Sequence, residues 1–519
     1  MSRKRGPRAP NPGALPWRRA RQITQIAALI TFLALLVVTR GGEFPSVPPS
    51  LFFKLDPLSM LASAIAGRQW PVGLALALLT VTLTLVVGRV WCGWLCPLGT
   101  LLDLFHLRRR PRGYVGADRR WRAVKYVLLI VLLGAALVGN LSLLAFDPIS
   151  IVTRGFTSFI FPGLDQTSLA LERTLYNTPF LQSPLDWFEA SVRTPLFPAD
   201  VWRWWNVIPG LLPIAIIALN LVSERFWCRY LCPLGALLGL ISRVAIVRRV
   251  VGEDACRNCV RCVRACPTGT IDPRQNFASD PAECIVCMDC LPECPVPQGQ
   301  TFAPAWKFAP AREYDPGRRH VVIAVGAGLL TAAALPVLPL WLRRSPWLIR
   351  PPGAQHYNRF LSTCIRCGEC LRVCPTSGLQ PTLWEAGLDG LWTPTLVPRL
   401  GYCDYSCHAC GQVCPTGAIP NLTLDAKRTT TIGTAEVNRD RCLPWSQNIP
   451  CIVCEEMCPL APKAVELDEV SVTDSTGEAI TLQRPHVIAE RCIGCGICEY
   501  KCPAEGEAAI QVKGHAEPS

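Results

Sequence analysis

The chain has 519 residues, of which 50% are hydrophobic and 18% charged, with a mean hydropathy of +0.26. These values exclude a disordered chain and do not suit a wholly soluble one. Its 28 cysteines stand against 6 histidines and 4 methionines, so they are disulfides or metal ligands rather than incidental core residues. The formal charge of +13 would by itself suggest nucleic acid or anionic lipid.

In chain order the first element is a basic N-terminus, residues 1–22, with seven Arg or Lys and no acid. Five apolar stretches follow: Ile23–Thr39, Pro71–Val87, Tyr126–Phe146, Val207–Val222 and Val321–Leu342. Each is near the ~17–25 residues of a spanning helix. Arg108 to Lys125 carries eight basic residues against Asp118, whereas residues 145–206 hold four Arg and six acids. The positive-inside rule then puts the N-terminus and the loop after the second helix in the cytoplasm and the long third loop outside. Trp202, Trp204 and Trp205 stand where an aromatic belt would precede the fourth helix. The expectation is a four-helix membrane domain over residues 23–250, lodged in lipid as a multi-pass protein of the bacterial inner (cytoplasmic) membrane. Its first span is uncleaved, because Ile23–Thr39 is too long for a signal-peptide core and lacks a small-residue cleavage site.

A repeat lies inside this domain. Trp91-Cys92-Gly-Trp-Leu-Cys96-Pro97-Leu-Gly99 recurs as Trp227-Cys228-Arg-Tyr-Leu-Cys232-Pro233-Leu-Gly235, with Arg89 matched by Arg225, and an Asp-Pro precedes each copy at Asp56-Pro57 and Asp147-Pro148. If the helix runs on through each pair, spacing i, i+4 puts both thiols on one face, and two pairs could give four thiolates to one metal site, a cluster or another soft metal. The alternative is two redox-active or buried thiol pairs. Asp56 and Asp147 read as N-caps ahead of a proline, or as carboxylates able to take a quinol proton.

The cysteine runs that follow carry the strongest signal. Cys256, Cys259, Cys262, Cys266 and Cys284, Cys287, Cys290, Cys294 have the bacterial ferredoxin spacing, each ending in Cys-Pro, in which the fourth cysteine ligates the neighbouring cluster. Cys256, Cys259, Cys262 and Cys294 should therefore hold one [4Fe-4S] cluster, and Cys284, Cys287, Cys290 and Cys266 the other. Zinc sites need neither the third Cys nor the Cys-Pro. Four more runs follow: Cys364, Cys367, Cys370, Cys374; Cys403, Cys407, Cys410, Cys414; Cys442, Cys451, Cys454, Cys458; and Cys492, Cys495, Cys498, Cys502. The second widens its first gap and the third inserts eight residues after Cys442. Which run supplies which fourth ligand is open among these four. The expectation is six [4Fe-4S] clusters, and a seventh if Cys92, Cys96, Cys228 and Cys232 form one site. Six oxidised clusters with their thiolates carry about −2 each and bring the chain close to neutrality, so nucleic acid drops out as a partner.

No terminal catalytic centre is visible. His106 is the only histidine of the membrane region, so paired haem ligands are missing. Cys403-x3-Cys407-His408 has irregular spacing for haem, and Gly326-x-Gly328 lies in an apolar span rather than between strand and helix.

These motifs carry a resemblance. The repeated Cys-x3-Cys-Pro domain with its two-cluster module, residues 20–300, resembles the NapH and NosR membrane polyferredoxins. Residues 315–519 resemble the NapG and MauM four-cluster ferredoxins, which are periplasmic and carry a twin-arginine export signal. The resemblance implies electron transfer from membrane quinol towards a periplasmic reductase, or, alternatively, an accessory role in maturation of a periplasmic metalloenzyme. The expected fold class is an α-helical membrane domain with α+β ferredoxin-like modules: a membrane domain over 23–250, a two-cluster module over 251–300, a linker and fifth anchor helix over 301–349, and a four-cluster module over 350–519. Arg318-Arg319 ahead of the fifth stretch resembles the twin-arginine signal that exports folded proteins. An external C-terminal module is expected on that ground, with a re-entrant anchor and all clusters inside as the alternative.

Overall fold

The computed structural model describes residues 15–41, 49–105, 119–197, 203, 206–252, 256–296, 299–305, 323, 325–330, 348–354, 357–473 and 479–514. Two compact units emerge, each assembled from separated stretches of chain: Met1–Leu35, Leu51–Val152 and Leu211–Ala333 in the first, and Leu36–Ser50, Thr153–Gly210 and Ala334–Ser519 in the second. The sequence-based division into consecutive domains differs from this, because segments flanking the apolar stretches join the C-terminal module.

The first unit is helical around its repeats. The first apolar stretch forms a 24-residue helix, Leu15–Val38, and among the described residues this is the one helix long and apolar enough to cross a membrane by itself. The others are shorter or displaced. Pro71–Val87 yields a 14-residue helix, Leu74–Val87, closed by Gly88 at φ +84°. The third stretch begins earlier, as Arg119–Leu137, and stops before Gly139 at φ +81°. Helix Val207–Ala218 carries Pro213 inside it. Gly139, at positive φ, ends the third helix inside its apolar stretch. Of the fifth stretch, residue 323 and residues 325–330 are described and helical. Gly328 lies so close to helix Arg119–Leu137 that a Cβ there would stand 2.8 Å from the Val131 carbonyl oxygen, a small-residue contact. Trp202, Trp204, Trp205, His106, Arg318 and Arg319 lie outside the described residues.

Both Asp-Pro dipeptides start helices. Asp56 Oδ1 accepts from the Leu58 N–H (2.9 Å) ahead of helix Pro57–Gly67. Asp147 Oδ2 accepts from Ile149 (3.0 Å) and Ser150 (3.1 Å) ahead of helix Pro148–Gly155.

The two-cluster module of this unit pairs β1 (Val247–Val251) antiparallel with β4 (Gln300–Pro304). Between them, β2 (Ile271–Asp272) pairs with β3 (Ala278–Ser279). Its anchors are cations from the segments that the charge distribution assigns to the cytoplasm. Lys125 Nζ lies 2.6 Å from Glu283 Oε2 with both side chains buried, Arg89 donates to the Ala282 carbonyl at 2.7 Å, Arg122 to those of Thr268 and Gly269 at 2.9 and 3.0 Å, and Arg21 reaches Asp289 at 3.2 Å. Burial alone would raise the Glu283 carboxyl, but Lys125, Arg89 and Arg122 overcome it and hold the group below its ordinary value. A depressed carboxyl contributes stability that is present above its unfolded value and lost as pH falls through the folded one.

The second unit contains the C-terminal module. Its short ladders pair β5 (Leu379–Pro381) with β6 (Pro394–Leu396), and β8 (Val465–Thr473) with β9 (Ala479–Val487), all antiparallel. β7 (Thr434–Val437) pairs with the last strand, β10 (Ile510–Lys513), Ala435 opposite Val512. The module rests on the other two stretches of its unit. Arg372 Nε donates to the Leu36 carbonyl (2.8 Å) while its guanidinium lies 4.4 Å from the Phe161 ring centroid. Arg40 donates to Ser377 (2.9 Å), Arg203 to Glu385 (2.8 Å) and Asn206 to Gln380 (3.2 Å).

Removing one partner of a buried ion pair leaves an uncompensated charge. Glu283→Gln, which leaves the buried Lys125 and Arg89 without the carboxylate they share, should therefore cost about 3–5 kcal/mol, read as a lower thermal midpoint of the purified protein, while Lys125→Met, which leaves Glu283 paired with Arg89, should cost less.

Candidate iron–sulfur sites

Each regular cysteine run builds the same backbone cradle. The second and fourth residues after the first cysteine have positive φ: Asn258 and Val260 (51° and 61°), Val286 and Met288 (54° and 61°), Arg366 and Gly368 (57° and 89°), Gly494 and Gly496 (74° and 80°). Non-glycine residues rarely adopt this region. Its recurrence at the same two positions, in runs of different composition, shows that the wrapping of three close thiols is what the chain satisfies there. Alternating left-handed residues also turn successive N–H groups inward, as an anion-binding nest requires.

The fourth cysteine of a run points elsewhere for a local reason. Proline forces the residue before it out of the helical region, and Cys266, Cys374, Cys414 and Cys502 accordingly stand as C-caps of five-residue helices with ψ of 111°, 112°, 112° and 122°. The helix ends and the thiol is delivered to a neighbouring run.

The thiols gather in sets that include one from a second run, which gives a pairing for the four C-terminal runs that spacing left open. In the first unit Cys256, Cys259, Cys262 and Cys294 line one cavity, and Cys266 lies within electrostatic reach of Cys284, Cys287 and Cys290. In the second unit Cys364, Cys367 and Cys370 share a cavity with Cys414, and Cys403, Cys407 and Cys410 share one with Cys374. Cys442, Cys451 and Cys454 share a third with Cys502, and Cys458 reaches Cys495, itself beside Cys492 and Cys498. The first two runs of this module thus exchange fourth thiols with each other, as do the last two. The Cys403 N–H donates to the Cys495 carbonyl at 2.8 Å, so the set built on Cys403 adjoins the set built on Cys495. The spatial order is therefore the Cys364, Cys403, Cys492 and Cys442 sets, which is not the order in sequence.

All 28 cysteines are free of disulfides. Burial pushes the Cys284 and Cys495 thiols up to about 11 and those of Cys290, Cys403 and Cys454 up to about 12, so as free thiols they stay protonated at neutral pH, and a bound cluster must displace those protons. Among the described residues no three His, Cys, Asp or Glu side chains are grouped to hold a single metal ion. A cubane, which carries its thiolates at separate corners, is the cofactor these wider sets fit. N–H groups of Ile419, Ala464 and Ala509 donate to the sulfurs of Cys414, Cys458 and Cys502 at 3.4, 3.4 and 3.3 Å, contacts of the kind that tune cluster potentials.

The Cys-x3-Cys-Pro pairs differ from the continuous-helix reading. Trp91–Leu95 and Trp227–Leu231 are π-helical turns, and Cys96 and Cys232 are extended N-caps of new helices, Pro97–Leu104 and Pro233–Ser242. The proline is again the cause. All four thiols are nevertheless brought together: Cys96 lies in reach of Cys92 and Cys228, and Cys232 of Cys92, Cys96 and Cys228. Asp56 and Asp147 also meet, both fully buried. The Oδ1 atom of Asp147 has no donor, an arrangement that a proton shared between the two carboxyls would satisfy.

Similarity to known proteins agrees with this chemistry. A 4Fe-4S binding domain model matches residues 69–114 and 205–252, a 4Fe-4S dicluster domain matches 363–418, and a further 4Fe-4S binding domain matches 485–505. The chain is an iron–sulfur electron-transfer protein. It is 32% identical over 204 residues to the methylamine utilization ferredoxin-type protein MauM of Methylophilus methylotrophus, covering 38% of this chain and 87% of that one. It is 34% identical over 200 residues to the ferredoxin-type protein NapG of Escherichia coli, covering 37% and 82%. It is 30% identical over 264 residues to MauN of Paracoccus denitrificans, covering 48% and 76%. The chain belongs to the NapG/MauM family of ferredoxin-type proteins. No solved structure shows significant similarity to it.

The exchanged pairing has a direct test. Cys414→Ala should abolish the same electron paramagnetic resonance signal as Cys367→Ala, and Cys374→Ala the same signal as Cys407→Ala. Loss of one common signal from Cys414→Ala and Cys407→Ala would instead mean that each run keeps its own fourth ligand.

Proposed function

We propose that the chain is a multi-pass protein of the bacterial cytoplasmic membrane that takes electrons from membrane quinol and relays them through six [4Fe-4S] clusters towards a reductase or metalloenzyme outside the membrane. One observation carries the membrane part of this reading: the first unit buries ionisable side chains beside its apolar ones and exposes large apolar side chains on its outside. Arg89, Arg225, Lys125, Asp56 and Asp147 are each at most 2% exposed, whereas Ile23, Leu79 and Leu211 are 68%, 61% and 51% exposed. Ionisable side chains are seldom fully buried in a water-soluble protein unless paired, and a cluster of them beneath exposed apolar side chains is unusual there. Ionisable groups paired inside an apolar shell are what a bilayer demands, and the short helices Leu74–Val87 and Val207–Ala218 then lie in lipid within a bundle.

The side of each module follows from what it rests on. The two-cluster module is anchored by Arg21, Arg122 and Lys125, from the basic segments assigned to the cytoplasm. The C-terminal module shares its unit with 36–50 and 153–210, which flank the apolar stretches on the acidic, external side by the same rule. Oxidation of a quinol releases two electrons and two protons, and clusters carry those electrons singly. The linear series of sets in the C-terminal module suits such a relay, with the Cys442 set as the end from which a partner is reduced.

Two measurements test this. Protease added to intact spheroplasts should digest residues beyond 350 and leave the 251–300 module intact; protection of both would put all clusters inside. A short-chain quinol should bleach cluster absorbance in the anaerobic solubilised protein, and dithionite reduction without quinol reduction would eliminate quinol as donor.

A further inference from the structure

The two repeats of the first unit cross-brace one another around the four thiols. Arg225, from the second repeat, donates to the first: to the Cys92 carbonyl at 3.0 Å, the Gly99 carbonyl at 3.3 Å, and Asp103 at 2.8 and 2.6 Å. Arg89, from the first repeat, lies against the second, its Nη2 only 2.8 Å from where a Cβ on Gly235 would stand. It is in electrostatic reach of Cys92 and Cys232, as Arg225 is of Cys228 and Cys96. The equivalent glycines, Gly99 and Gly235, leave room for the crossing guanidinium groups.

The charges of this site are not balanced by the residues present. Arg225 has Asp103, and Arg89 shares Glu283 (3.6 Å) with Lys125, but Nε and Nη2 of Arg89 are buried without an acceptor. The indole N–H groups of Trp91 and Trp227, each adjacent in sequence to the first cysteine of its pair, are likewise buried without acceptors. Orphaned donors at the same position of both repeats point to an acceptor common to them. Four neutral thiols supply none. Four thiolates on an iron–sulfur cluster supply a dianionic group bearing sulfide acceptors.

We propose that Cys92, Cys96, Cys228 and Cys232 jointly ligate one [4Fe-4S] cluster between the two repeats, a seventh redox site, with Arg89 and Arg225 as its counter-charges. The family model matched over both repeats describes a 4Fe-4S binding domain, and here each copy supplies half of the ligands. Cys232 Sγ already accepts from the Gly235 N–H at 3.2 Å at the start of its helix, where a thiolate is favoured. The site adjoins the two-cluster module: Arg225 reaches Cys287 as well as Cys228, and the Trp94 indole donates to the Val286 carbonyl at 2.9 Å. The cluster would exchange one electron at a time with the set of Cys266, Cys284, Cys287 and Cys290. This site stands independently of the quinol reading.

Iron and acid-labile sulfide of the anaerobically purified full chain should each number about 28 rather than about 24. Cys92→Ser with Cys228→Ser should lose about four of each, with the signals of the ferredoxin-run clusters unchanged. Arg89→Lys and Arg225→Lys should shift the midpoint potential of the signal that the double variant lacks and of no other. A wild-type content of 24, iron unchanged in the double variant, or zinc at one per chain would overturn the proposal. If the double variant does not accumulate, Mössbauer quantification of the wild type decides between six and seven clusters.

Discussion

A cubane held by three thiols from one run and a fourth from another would tie two stretches of chain through metal, in addition to the apolar residues packed around the thiols. The ladders of both ferredoxin modules are short, two to five residues apart from the β8–β9 hairpin, too little to hold a domain together by strand pairing. Cross-ligation would reinforce the apolar clusters in which these thiols sit, and because metal binding is coupled to folding, removing the clusters should destabilise the modules. The left-handed cradle residues and the pre-proline C-caps are the backbone's concessions to it.

The same constraint arranges the electron path. Exchange of fourth thiols makes the Cys364 and Cys403 runs one pair and the Cys442 and Cys492 runs another, and the Cys403–Cys495 backbone bond joins pair to pair. In the first unit an exchanged pair sits beside the repeat thiols, with Arg225 reaching both. Positive charge gathers wherever anionic clusters would: Arg89 and Arg225 among the repeats, Arg249 beside the sets of the two-cluster module. Burying such cations is costly unless a counter-charge is present, and an anionic cluster at each of these thiol sets would supply one.

The repeat shows how a pseudo-symmetric pair can differ from two independent halves. Each half has a Cys-x3-Cys-Pro, an arginine and a glycine, yet the arginine of each half is directed at the other. Asp56 and Asp147 meet in the same manner, one carboxyl from each half. A single repeat would leave Arg225 without Asp103 and the Cys92 and Gly99 carbonyls and would bring two thiols together where the pair of repeats brings four.

The sequence determined by itself the class of chemistry, because cluster ligation needs particular residues at particular short spacings, and Cys-x2-Cys-x2-Cys-x3-Cys-Pro is legible without a fold. It also determined that the repeat existed and that Arg89 corresponds to Arg225. Among the four runs of the C-terminal module only tertiary structure decided which lends its fourth thiol to which, since the exchange brings together residues up to 60 positions apart, as between Cys442 and Cys502, and spacing within a run says nothing about which of three others is its neighbour. It likewise decided that the Cys-x3-Cys pairs sit across a break rather than along a helix, although the proline after the second cysteine was the local sign of it. Helix lengths within the apolar stretches and the assembly of each unit from separated segments were also beyond sequence, because hydropathy measures how apolar a run is and not where a glycine's φ will end its helix or which distant segment it will pack against.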